Sequence, residues 1–294
     1  MTSSFTASEL DKPTRLDRVL RTRFPQWGRQ AVQRLIGEGQ VTVNGRKVWL
    51  ASWEIRNGDR LALAELPVAK PAPFVHFDER WLIAELRDLI AINKPAGLLA
   101  EPTRWGSGAN LLELATQRFG PLVLFHRLDR DTSGVILLTR PGPINQYLDR
   151  AFKAHTIKKE YLAVVRTPNR LQPSGVIDAP LAPDRQRRDK MRAVAHGGQR
   201  ALTRYAIAEE AGGRQLVRLW PQTGRTHQLR VHLAYLGAPI LGDRLYGPQP
   251  AADQRLLLHA YQLDLPAAEE YPARTLVAPL PDDFIWKNSD ATDP

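Results

Sequence analysis

In the stretch HRLDRDTSG, residues 126–134, two aspartates stand two residues apart between apolar PLVLF and VILLTR. Asp129 and Asp131 could form an acid/base pair, ligate a metal or punctuate a loop. Side chains at i and i+2 of an extended segment point to opposite faces, so the two carboxylates would not share one substrate. Asp131, before Thr132-Ser133-Gly134, suits a turn in which a carboxylate accepts backbone N–H groups. Asp129 closes an apolar strand, where side chains are held rigidly over a cleft; it is a candidate for chemistry, or for an ion pair with Arg127 or another arginine.

A second dense stretch is WPQTGRTHQLRVHLAYLG, residues 220–237. Thr226 can cap a helix that turns Leu229, Leu233 and Leu236 inward, with Arg225 at its entry and Arg230 one turn after His227. An arginine set among leucines needs a carboxylate partner, and Asp129 is the candidate. KKEYLAVV, residues 158–165, puts Tyr161 in a strand, where a tyrosine ordinarily packs against its neighbours. INKPAGLL carries a turn but no glycine-rich phosphate loop, leaving Lys94 as a structural residue or a phosphate contact. The seven histidines form no tight ligand pair, and His227 and His232 are five residues apart; no metal and no cofactor are expected.

These residues need a scaffold, and 294 residues with 43% hydrophobic content supply one large domain and a smaller partner. TRLDRVL has Thr14 and Asp17 at capping-box spacing, with Leu16, Val19 and Leu20 on one face. RQAVQRLIGEG repeats the pattern with Val32, Leu35 and Ile36, and VTVNGRKVW alternates about Asn44-Gly45, a hairpin signal. Helix, helix and hairpin make a small unit, residues 1–70 with a core of 14–63. The proline-rich LPVAKPAPF, residues 66–74, reads as a stiff linker, with 71–84 as linker and entry. Beyond it, from 85 to 281, LIAIN, PLVLF, GVILLTR, KKEYLAVV and QLVRLW read as strands and LLELATQRF and NQYLDRAFKAH as helices. Without a regular βαβ rhythm the expected class is α+β, with a mixed, largely antiparallel sheet. Residues 282–294 form a tail that can fray.

Lys and Arg number 41 against 31 Asp and Glu, a net of +10. The excess lies in residues 11–60, with eleven basic and five acidic side chains, and in 181–230, with eleven against four. Arginine-rich blocks of this kind suit phosphate contacts and stacking on bases. With no cysteine, disulfides and thiolate chemistry are excluded, and a cytoplasmic protein is expected. The start lacks the pattern of a secretory signal and no apolar run reaches the roughly 18 residues of a membrane span, so no membrane association is expected.

INKPAG, HRLDRDTSG, KKEYLAVV and TGRTHQLRVH followed by GAPILGDRLYG resemble, in order, the motif set of the RluA-type pseudouridine synthases, over nearly all of residues 85–262. The N-terminal unit resembles the RNA-binding module of ribosomal small-subunit protein four. The loop LLAEPTRWG departs from the Val-His-Pro continuation of many members. The resemblance implies an isomerase that moves uracil from N1 to C5 attachment on ribose in structured RNA, without a cofactor. It implies Asp129 as the essential carboxylate, Tyr161 stacked on the target base and Arg230 as the ion partner of Asp129. Arg127 would fill the gap left by the flipped nucleotide. Lys94, Arg225 and His227, with Arg15, Arg18, Arg29 and Arg34 of the small unit, are the expected RNA contacts. The expected target is large-subunit ribosomal RNA, with transfer RNA as the alternative, and the expected state is a monomer. A non-catalytic RNA-binding or ribosome-assembly protein, and a uridine-specific glycosidase that releases uracil, are the competing readings.

Overall fold

The computed structural model describes residues 3–63 except 26, 28 and 38, then 74–102, 109–166, 171–187, 189–248, 255–268 and 270–286, without the side chains of 29–31 and 34. The expected linker lies almost wholly outside the described residues, as do much of the LLAEPTRWG loop and of the tail. The chain divides into two compact units, with the change at Pro73/Phe74.

The small unit runs β1 (Ser3–Thr6), β2 (Thr14–Arg15), α1 (Leu16–Arg23), α2 (Arg29–Gly37), β3 (Val41–Val43), β4 (Arg46–Lys47), β5 (Glu54–Ile55) and β6 (Arg60–Leu63). Leu16, Val19 and Leu20 of α1 pack with Val32, Leu35 and Ile36 of α2 over β3 and β6. Asn44 and Gly45 both take positive φ, 50° and 79°, which is what a two-residue turn between β3 and β4 requires. The capping box does not form. Thr14 is drawn into β2, paired with β5, and Asp17 is held instead by the Arg15 guanidinium at 3.0 and 3.1 Å.

The large unit contains β7 (Leu82–Glu85), β8 (Leu89–Lys94), α3 (Leu111–Phe119), β9 (Val123–Leu124), β10 (Ser133–Thr139), α4 (Ile144–Lys153), β11 (Lys158–Val165), β12 (Ser174–Asp178), β13 (Leu181–Pro183), β14 (Met191–Ala193), β15 (Leu202–Ala211), β16 (Arg214–Pro221), α5 (Gln228–Tyr235), β17 (Leu258–Leu265) and β18 (Arg274–Val277). The main sheet has the order β12-β15-β16-β11-β17-β10-β8-β7, with β18 beside β17 and β9 beside β10. Among the described pairs of this sheet only β10 and β17 run parallel. This is the mixed, largely antiparallel α+β architecture that the patterning predicts.

Local signals explain the elements. In α4, Ile144, Tyr147, Leu148 and Ala151 are buried at helical spacing. Asn110 caps α3 by accepting the Glu113 N–H at 3.0 Å, and Gly120 ends it at φ 83°. All seven residues of β10 are buried, as a strand covered on both faces requires. Two core clusters result: one under α3 and α4 against β8 and β10, the other under α5 against β11 and β16. β17 contributes to both, with Ala260 and Leu263 in the first and Leu258 in the second.

Candidate active site

Asp129 does not end a strand. It follows β9 through an irregular segment and opens a tight turn in which its carbonyl accepts the Thr132 N–H at 3.1 Å. The turn is clamped from two sides. On one side Lys94, fully buried at the end of β8, donates to the carbonyls of Pro95 (2.9 Å), Leu98 (2.7 Å) and Arg130 (3.0 Å). Burial pushes this ammonium down to about 7, against the pull of Asp131 and Asp129. Lys94 therefore ties loop to turn and offers nothing to a phosphate, which corrects its expected place among the RNA contacts.

On the other side Ser133 Oγ accepts from Arg255 Nη2 and lies against His259 Nδ1, both at 2.8 Å, while His259 Nε2 meets the Ala278 carbonyl at 3.1 Å. Gly134 follows at φ 118°, where a Cβ would stand 2.2 Å from the Ala260 carbonyl oxygen. Only glycine lets β10 run this close to β17.

The Asp129 side chain is 31% exposed, open to a substrate yet within reach of buried partners. Arg230 Nη1 lies 3.5 Å from Oδ2 and His227 Nε2 lies 3.9 Å from the same oxygen. The main partner of Arg230 is not Asp129, as expected, but Asp243: Nε and Nη2 each donate to its carboxylate at 2.8 Å. That carboxylate also accepts the Leu245 and Tyr246 N–H groups. Burial pushes Asp243 up, but the guanidinium and backbone donors outweigh it and hold the group below the usual carboxylate range. Asp243 fixes two nitrogens of Arg230 and leaves the third for Asp129.

His227 takes a left-handed φ of 56° at the entry to α5, and its Nδ1 lies 2.7 Å from Tyr246 Oη. Tyr246 Oη also accepts the Met191 N–H, and its ring lies 5.2 Å from the Arg230 guanidinium carbon. Burial lowers the His227 basicity, partly countered by Asp129. Thr226 does not cap α5. Gln228 organises the entry, its Oε1 accepting from the Arg225 N–H and Thr223 Oγ1 and its Nε2 donating to the Leu202 carbonyl and Thr203 Oγ1. Leu229 and Leu233 are buried as expected, whereas Leu236, past the last turn, is exposed.

Tyr161 sits at a bulge, where the β11–β17 register slips between Glu160 and Tyr161; such slips re-aim side chains beside sites. Burial, and next the Asp129 charge, push its phenol well above the ordinary value, so the ring stays neutral. Arg127 is 70% exposed and pairs with Glu101 at 2.9 Å; Arg225 is exposed, with Nε on the Arg200 carbonyl. In the small unit Arg15 and Arg18 are accessible, while Arg29 and Arg34 belong to α2 with their side chains outside the described residues. Sequence reasoning missed Asp243, Tyr246, Arg255 and the Ser133–His259 pair. Asp243 lay in the GAPILGDRLYG stretch, and the demand of a buried arginine for a carboxylate was the signal that could have found it.

A tight turn thus presents one partly exposed carboxylate, an arginine immobilised by Asp243 faces it, and a tyrosine whose phenol burial keeps protonated lies near. The family model for RNA pseudouridylate synthase matches residues 88–235, and that for the S4 domain matches 14–61. An uncharacterised RNA pseudouridine synthase of Bacillus subtilis is 33% identical over 95% of this chain and 94% of its own. The ribosomal large subunit pseudouridine synthase D of Yersinia pestis is 30% identical over 84% of this chain and 77% of its own. Among solved structures, human RNA pseudouridylate synthase domain containing 4 aligns with a TM-score of 0.56 at 31% identity, covering 70% of this chain and 90% of that one. The chain belongs to the RNA pseudouridylate synthase family and carries an S4 domain; it is an isomerase acting on RNA.

Proposed function

We propose that this protein converts uridine to pseudouridine in large-subunit ribosomal RNA, with Asp129 as the reacting carboxylate. The observation that carries the reading is the approach of Arg230 to Asp129 at 3.5 Å with two of its nitrogens already fixed by Asp243, which sets a positioned cation against the carboxylate while leaving it open to a nucleoside. During the reaction the C1′–N1 bond breaks, the uracil turns, and C5 bonds to C1′; C5 loses a hydrogen and N1 gains one, so composition is unchanged. Asp129 acts on the target nucleoside while that bond is broken and remade. Tyr161 stacks against the base, and its neutral hydroxyl serves proton transfer near Asp129. Arg127, exposed on the segment leading to Asp129, occupies the place of the flipped nucleotide. Arg225 and His227, with Arg15, Arg18, Arg29 and Arg34, contact the RNA.

The ribosomal target rests on the name borne by the relatives from Yersinia pestis and Haemophilus ducreyi, the latter 32% identical over 92% of this chain. The same reading assigns residues 1–70 to RNA binding and 85–281 to the reaction, and has the protein working as a cytoplasmic monomer. The test maps pseudouridine in RNA from cells with and without the protein, then repeats the reaction with purified components. Loss of specific pseudouridines from large-subunit ribosomal RNA is the expected result. Loss from transfer RNA alone would move the target, free uracil would make the protein a glycosidase, and no change in any RNA would leave a binding protein.

A further inference from the structure

The large unit carries an open groove of about 880 Å³. Its lining includes Lys158, Lys159, Arg204 and Arg225, and no aspartate or glutamate among the described lining residues. Lys158, Arg204 and Arg225 are exposed. Trp220 lies among them, and its orientation is fixed. The indole N–H donates to Glu160 Oε2 at 3.0 Å, and the other oxygen of that mostly buried carboxylate takes Arg218 at 2.6 Å. Strand register sets Arg204 beside Trp220 and exposed Val176 beside Arg204. A fixed aromatic face among four cations, with no carboxylate among the described lining residues, suits a polyanion that also offers flat π-systems, which is single-stranded RNA with its bases splayed. A duplex hides those faces, and an acidic peptide offers a stacking ring only where it carries an aromatic residue.

We propose that this groove holds the single-stranded RNA running on from the target nucleotide, one base stacked on Trp220 and neighbouring phosphates on Lys158, Arg204 and Arg225. The inference rests on the proposed RNA reaction and extends it to a footprint beyond the modified nucleotide. Chain continuity supports the path. Lys158 and Lys159 stand on β11 shortly before Tyr161, and Arg225 stands two residues before His227, so the cations of the groove lie close along the chain to the residues about Asp129.

The test uses the full chain. Binding of fluorescein-labelled dodecauridylate is measured on an Asp129→Asn background, alone and with Trp220→Leu, Trp220→Phe, or Lys158→Ala with Arg204→Ala. Trp220→Leu should weaken binding about ten-fold, whereas Trp220→Phe, which keeps a stacking face, should stay within about three-fold. The double alanine variant should lower the salt slope by roughly 0.7 for each phosphate that is no longer neutralised. In turnover of a ribosomal RNA fragment, Lys158→Ala with Arg204→Ala should raise KM and spare kcat, and the KM effect should vanish when the flanking strand is trimmed away. Unchanged affinities, a fall in kcat at constant KM, or equal displacement of the RNA by a dodecaglutamate peptide would overturn the groove. If the unsubstituted protein makes no pseudouridine while the groove variants still lose dodecauridylate, the reaction reading fails and the groove stands.

Discussion

Arg230 serves two carboxylates, and the division of its nitrogens between them decides what each substitution does. With Asp129 proposed as the reacting carboxylate, Asp129→Asn should lower turnover roughly 10³-fold or more while RNA affinity stays within a few-fold, because a single carboxylate adds little hold on a polyanion. Single-turnover rates and direct binding check this, and near-normal turnover would sink the assignment. Asp243→Asn removes the anchor of a buried cation; a loss of about 3 kcal/mol in urea unfolding is expected, together with slower turnover, since Nη1 is no longer held toward Asp129. Arg230→Ala should slow chemistry, and Arg225→Ala should chiefly weaken binding. Two histidines of the large unit, His126 half-buried and His259 buried, contribute a pH dependence. His126 accepts the Leu137 N–H through Nε2, and burial pushes it from 6.5 down to about 3; His259 is pushed down to about 4. Below 6.5 the unfolded chain takes up protons that the folded chain refuses, so stability should fall as pH drops from 6.5 toward 4, by up to about 1.4 kcal/mol per pH unit for each group. Unfolding midpoints at pH 7, 5.5 and 4.5 read the slope, and His126→Gln should flatten it. The meeting of Asp129 and Arg230 was legible because a buried guanidinium demands a carboxylate. Asp243 was not, because nothing in residue type or spacing ranks two distant aspartates against each other, and Lys94 was misread because burial of a lysine leaves no mark in its own sequence.

At the level of elements, the turn that carries Asp129 depends on what surrounds it rather than on its own propensity. Gly134→Ala would drive a methyl into the Ala260 carbonyl and force a positive φ on a residue that resists it; a loss of about 3 kcal/mol or more, or failure to fold, is expected in thermal unfolding. Gly45→Ala, with open space about its Cβ, should cost less, since only the backbone conformation opposes it. The elements legible in advance were those specified within a few residues. Helices α3 and α4, strand β11 and the Asn44-Gly45 turn carry their signals locally. The caps at Thr14 and Thr226 failed because other partners were available at longer range. Strand β5 recruited Thr14, and Gln228 met the donors at the α5 entry with a side chain that Leu202 and Thr203 of β15 hold in place. The parallel pairing of β10 with β17 could not be read, because nothing near either strand names the other.

For the molecule as a whole, the two units have separate hydrophobic clusters, and the charge excess is divided between them. A truncated protein beginning near Pro73 should stay soluble and keep its rate on saturating RNA, but bind more weakly, with a salt slope reduced by roughly 0.9 for each duplex-like phosphate the small unit had neutralised. Equal affinity and slope would point instead to a protein partner for the small unit. The order of the main sheet has a further consequence, in time rather than in space. Strand β17 lies between β10 and β11, so the half of the sheet next to Asp129 and the half that carries Tyr161 are joined through residues 258–265. A nascent chain halted at residue 250 already holds Asp129, Tyr161, Arg230 and Asp243, yet lacks the strand that brings them into one sheet. Such a chain should show RNA affinity through its arginines and no turnover. During synthesis, binding competence therefore precedes catalytic competence, and the enzyme cannot begin modifying RNA until the strand at the middle of its central sheet has left the ribosome that makes it.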